Sequence, residues 1–87
     1  EGISLFQNIP NPFKQSTIIP FQISERSDIE IRIVDINGKL IYETRANYNK
    51  GYHEIEIQKN QLDRSGIYYY QLKSNKYNLF RRMILID

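Results

Sequence analysis

Few side chains in this sequence are equipped for chemistry. His53 is the only histidine and there is no cysteine, which removes thiolate nucleophiles, disulfides and cysteine-held zinc or iron–sulfur centres. His53 keeps phase with Ile55 and Ile57 in GYHEIEIQ, so its ring is expected at the margin of a core, bonded to a neighbour. A triad needs a nucleophile and an orienting acid around such a base, and no G-x-S-x-G or comparable motif supplies them. The carboxylates are scattered along polar faces, where they read as solvated surface and not as an acid/base pair. In DINGK, Asp35 and Asn37 precede Gly38 like the start of a calcium loop. The further ligands and the bidentate glutamate are missing, so a hairpin turn explains the stretch better. No catalytic residue, metal or cofactor is expected.

The seven tyrosines offer a different chemistry. Tyr48, Tyr52, Tyr69 and Tyr77 can line a platform that stacks on sugar rings, as in a glycan-binding module. The reading preferred here is cross-strand pairing beside the core, where amphipathic rings commonly sit. A net charge of +2, with basic residues interleaved among acidic ones, gives no stripe for nucleic acid. No run of about twenty apolar residues predicts a membrane-spanning helix. The chain of 87 residues is expected to form one domain, residues 1–87. Its core must be small, since a chain this short buries only about 60–65% of its unfolded surface. Glu1 is not a starting methionine and no basic-then-apolar leader follows it, so the chain is expected to be a piece of a longer protein.

The elements that position these residues are strands. Isoleucine and tyrosine abound, alanine occurs once, and good helix formers never recur at helical spacing. DIEIRIVD places Ile29, Ile31 and Ile33 on one face, with Glu30 and Arg32 on the other, the alternation of a half-buried antiparallel strand. Asn37–Gly38 follows at once, and two β-runs joined by Asn-Gly predict a hairpin because both residues tolerate positive φ. IYYYQLK puts Tyr68, Tyr70 and Leu72 on one face after the turn residues DRSG, and Gly66 is expected to supply positive φ there. With ISLFQ, TIIPFQI, KLIYET, GYHEIEIQ and YNLFRRMILI the count reaches about seven strands and no helix. Short, evenly spaced antiparallel strands imply a sandwich of two packed sheets.

The two ends of the chain are unusual. NIPNPF carries two prolines within three residues, which nearly excludes helix and makes a central strand improbable. There Asn11 is expected to cap a turn through its side-chain oxygen, Pro12 to preset φ, and Phe13 to plug the core. The turn would set how the first strand enters the sandwich. At the other end, RRMILID is apolar in both phases, Met83 and Leu85 on one, Ile84 and Ile86 on the other, although a sandwich strand should present one polar face. Either the strand is bulged or covered by the N-terminal segment, or Ile84 and Ile86 leave an apolar strip flanked by Arg81 and Arg82. In the second case the edge is also open to strand addition by a partner.

Three blocks carry a resemblance. LFQNIPNPFKQSTIIPFQI, with Asn11, Pro12 and Phe13, resembles the opening block of a known family. IRIVDINGKLI, with Asp35, Gly38 and Lys39, resembles its middle block. LDRSGIYYYQL and RRMILI, with Gly66, Tyr68 and Arg81 to Ile86, resemble its closing blocks. In order and spacing the set is similar to the C-terminal sorting domain (type A) of cargo proteins of the type IX secretion system of Bacteroidetes. Arg81–Arg82 stands where lysine is common, and the charge is kept.

The resemblance implies an immunoglobulin-like, all-β sandwich of about seven strands, joined to an N-terminal cargo domain in cis. It implies a non-enzymatic signal that passes through the periplasm to the cell surface or the medium. Its partners would be the outer-membrane translocon, its shuttle proteins and a sortase-like cysteine peptidase that cuts at or before Glu1. The motif residues would specify either the fold or docking to that machinery.

Overall fold

In the computed structural model, which describes residues 2–87, alternation along the strands resolves into seven strands in two antiparallel sheets. They are β1 (Ile3–Leu5), β2 (Ser16–Ile23), β3 (Ser27–Asp35), β4 (Leu40–Tyr48), β5 (Gly51–Gln58), β6 (Gly66–Lys73) and β7 (Asn78–Leu85). One sheet has the order β1-β2-β5 and the other β4-β3-β6-β7. The expected faces are the observed ones. Ile29, Ile31, Ile33, Tyr68, Tyr70 and Leu72 are all buried, and they pack with Ile19, Phe21, Ile23 and Ile57 of the facing sheet. His53 is half-buried at the margin of this core, its Nε2 2.6 Å from the Asn49 carbonyl oxygen and its ring against Phe21 and Tyr48.

β2 is central although it contains Pro20, and the surroundings show how that is tolerated. The Phe6 N–H donates to the Pro20 carbonyl at 3.0 Å, but Pro20 has no N–H to return. The Phe6 carbonyl accepts the Tyr70 hydroxyl from the other sheet instead, at 2.7 Å. Two residues further along β2, Ile18 exchanges both backbone bonds with Ile9 at 2.9 Å. Gln7 and Asn8 therefore stand opposite Ile19 alone, which is a β-bulge that turns Asn8 inward.

One local expectation changes. The β3–β4 hairpin is not closed by two left-handed residues: Gly38 has φ +83°, whereas no non-glycine residue has positive φ among those described. The Gly38 N–H donates to the Asp35 carbonyl, and the Asp35 carboxylate accepts from the Asn37 and Lys39 N–H groups at 2.9 and 3.0 Å. This is a four-residue turn ending in a left-handed glycine, and the register shifts by one between Ile33 and Val34 to admit it. No α-helix forms among the described residues, as expected, and the β5–β6 connection makes one 3-10 turn at Lys59–Gln61.

The domain measures 37 × 23 × 17 Å. Gly2 lies at one pole, beside the β2–β3 and β6–β7 turns, with its amide donating to Ser24 Oγ. Leu85 lies at the opposite pole with the β3–β4 turn and the β5–β6 connection, as the pairings Ile3↔Ile23 and Gly66↔Leu85 require.

Candidate functional site

The opening and closing motifs come together at the second pole. After the bulge, Asn8 is 1% exposed, and a buried amide must find partners. Its Nδ2 donates to Thr17 Oγ1 at 2.9 Å and to the Pro10 carbonyl at 3.2 Å, while its Oδ1 accepts from Gln7 Nε2. Thr17 Oγ1 donates to the same Pro10 carbonyl. These bonds fold the segment back on itself, through the cis Ile9–Pro10 and Asn11–Pro12 peptides, and carry it from the first sheet to the edge of β7.

There the segment forms a clasp. Asn11 Oδ1 accepts the Ile84 N–H at 2.9 Å. The Phe13 N–H donates to the Ile84 carbonyl at 3.0 Å, and the Phe13 carbonyl accepts the Ile86 N–H at 2.9 Å, which is a parallel bridge beside Leu85. Phe13 itself is 2% exposed. Its burial contributes about 1.5–3 kcal/mol relative to an exposed ring. Nearer the first pole the bridging is by side chains: Gln7 Nε2 donates to the Arg82 carbonyl and Arg81 Nε to the Leu5 carbonyl at 2.9 Å.

The sequence expectations are met unevenly. Phe13 plugs the core as anticipated. The oxygen of Asn11 bonds β7 and not its own turn, the local role having passed to Asn8. The opening turn does not govern how the first strand enters; it lies at the far pole from Gly2 and governs how that strand crosses between sheets. Because Asn11 and Phe13 occupy the Ile84 and Ile86 backbone groups, that part of the β7 edge is not open to strand addition. Met83 and Leu85 are buried, Ile84 is half-buried and Ile86 is 40% exposed. Arg81 and Arg82 leave β7 on opposite faces and do not flank one strip. Asp35, Gly38 and Lys39 form the β3–β4 turn at the same pole, and Gly66 has φ +146°.

Tyr68 does more than line a face. Its hydroxyl accepts the Asp63 and Arg64 N–H groups and donates to the Arg64 carbonyl, which is the tyrosine corner of immunoglobulin-like sandwiches. The signal for it, turn residues followed by Gly-Ile-Tyr, was present in the sequence. For Asn8 and Thr17 the signal was weaker: Thr17 shares the inward phase of Ile19 and Phe21, so its hydroxyl needed a buried partner. The four tyrosines proposed as a platform do not share a face. Tyr48 packs edge-on against Phe21 at 5.1 Å, Tyr52 lies on the outer face of the three-stranded sheet, Tyr69 on that of the other, and Tyr77 against Gly2.

Two groups near these elements are electrostatically perturbed. Burial pushes the Tyr70 phenol up to about 12. On the outer face of β3 and β4, Glu30 is held down at about 2, first by its hydrogen bond with Glu43 and then by Arg32. Arg32 and Arg45 both pair with these two carboxylates. Among the described residues no group of three or more His, Asp or Glu is placed to hold a metal, and no helix is long and apolar enough to cross a membrane.

Comparison with known proteins agrees with this geometry. No curated protein matches the chain. Among solved structures, it is similar to part of the beta-glucosidase from Listeria innocua in complex with glucose, with a TM-score of 0.61 and 10% identity. The likeness covers 98% of this chain and 16% of that one, and at such identity it establishes the β-sandwich fold alone. Residues 8–86 match the family described as the secretion system C-terminal sorting domain. That span holds the Asn8 bulge, the Gly38 turn, the tyrosine corner and the β7 clasp, and the chain belongs to the C-terminal sorting domains of type IX secretion.

Proposed function

We propose that the domain acts as a folded, non-enzymatic export label. It directs a cargo joined on its N-terminal side from the periplasm through the outer-membrane translocon, with shuttle proteins of the same system. A sortase-like cysteine peptidase then removes it as the cargo is anchored at the cell surface or released. The observation that carries this reading is the clasp: the blocks of the sorting family at the two ends of the chain are hydrogen-bonded into one unit through Asn11, Phe13, Ile84 and Ile86. A signal read only after folding needs such a unit, because neither end presents it alone. The test is a fluorescent protein with a periplasmic leader fused before residues 1–87 in a bacterium competent for type IX secretion. Surface or medium fluorescence, with the domain cut away, is the expected result. A folded fusion retained in the periplasm would overturn the proposal.

A further inference from the structure

The outer face of the four-stranded sheet is not the polar surface that a solvated sandwich requires. In the half nearest Leu85, Val34 pairs across the strands with Leu40 on one side and Tyr69 on the other. Tyr69 pairs with Arg82, and Ile67 with Ile84. All point away from the core, because their neighbours Ile33, Tyr68, Tyr70, Met83 and Leu85 point into it. Leu40 is 46% exposed, Tyr69 40% and Ile67 39%, and Phe80 at 62% continues the row along β7. The other half of the same face carries the Arg32–Glu30–Glu43–Arg45 cluster, so the apolar half is distinct in character. A contiguous apolar area spanning four strands marks an interaction surface.

Arg82 identifies what covers it. Set between Phe80 and Ile84 along β7 and beside Tyr69, its guanidinium makes no ion pair or hydrogen bond among the described residues. Arg32 and Arg45 are paired, and Arg81 is spent on the Leu5 carbonyl. We propose that this face docks a partner protein that presents apolar side chains and a carboxylate aimed at Arg82. The inference rests on the sorting reading and gives it a surface. One guanidinium on a flat sheet face is poor equipment for an anionic membrane, which takes a cluster of cations. A second copy laid on the same patch would oppose Arg82 to apolar surface or to its own kind. A segment joined before Gly2 leaves from the opposite pole.

The experiment uses the reporter fusion with three changes on this face: Arg82→Glu, Arg82→Lys and the pair Tyr69→Thr with Ile84→Thr, which keeps strand-forming residues. Tyr52→Thr on the opposite sheet is the control, and thermal unfolding verifies that each variant is folded. Arg82→Glu and the double variant are expected to lower export about tenfold or more, as loss of a desolvated charge pair does, with Arg82→Lys and Tyr52→Thr near wild type. A photo-crosslinker at position 69 should then capture one other protein through a peptide containing Asp or Glu, and Arg82→Glu should abolish the adduct. Folded face variants exported at the wild-type level would overturn the docking surface. So would an adduct between two copies of the domain, or Arg82-dependent binding to phosphatidylglycerol vesicles without a protein adduct. Failure of the unaltered fusion to be exported would sink the sorting reading instead, which separates the two.

Discussion

At the scale of single residues the domain depends on polar groups that are buried and fully partnered. Asn8 is the strongest case, since its amide serves Thr17, Pro10 and Gln7 at once. Asn8→Ala is expected to cost about 1–3 kcal/mol, the penalty for stranding buried polar partners, read as a lowered urea midpoint with unchanged slope. Tyr70 joins the sheets where Pro20 leaves a carbonyl unpaired, and its phenol titrates near 12 when folded against about 10 in an unfolded chain. The folded state thus holds a proton that the unfolded state releases. Its contribution is intact below pH 10 and is lost as pH rises toward 12. Urea midpoints measured from pH 9 to 12 should fall for the wild type, and that fall should be shallower in Tyr70→Phe, which is also weaker at pH 8. Parallel curves would show that another group governs the alkaline limb.

The elements divide according to how much of their geometry is local. β3 and β6 were legible because Ile29, Ile31, Ile33, Tyr68, Tyr70 and Leu72 alternate without interruption, and burial on one face leaves one register. β2 was readable as a strand but not as a central one, because Pro20 argues against that position and its remedy, Tyr70, is 50 residues away in sequence. The crossing at NIPNPF announced a turn, but its contacts with Ile84 and Ile86 depend on tertiary placement that no local pattern encodes. The apolar character of β7 was visible, whereas its continuation through Leu40, Val34 and Tyr69 appears only once the registers are known. The outer half of β3 and β4 offers a prediction of its own. Glu30 titrates at about 2 in the folded domain, below the ordinary range, so its stabilising effect is present above pH 4.5 and lost as pH falls toward 2. Glu30→Gln should flatten that part of the acid unfolding curve. Salt should weaken the effect in the wild type, because the cluster lies at the surface.

For the whole molecule, what matters is that β7 is both the last strand of the core and one half of the clasp, so truncation tests confuse signal with fold unless the cut is chosen from the structure. Removing Ile86 and Asp87 deletes one hydrogen bond, from the Ile86 N–H to the Phe13 carbonyl, and leaves Leu85 in place. A loss of about 0.5–1.5 kcal/mol is expected, with a cooperative transition retained. Removing Ile84 to Asp87 takes away Leu85, which is 2% exposed, and all three hydrogen bonds of the clasp, one to the Asn11 side chain and two to the Phe13 backbone. Loss of the Leu85 side chain alone carries a cost of about 2–5 kcal/mol, a large share of the 5–15 kcal/mol typical of a domain. The shorter cut should therefore yield a protein with native circular dichroism and a modestly lowered Tm, while the longer cut should lose cooperative unfolding. If the shorter cut abolishes reporter export with its fold intact, Ile86 and Asp87 belong to the recognised surface. If export survives that cut and is lost only with the fold, Ile86 and Asp87 lie outside the recognised surface and the end of β7 serves to close the sandwich.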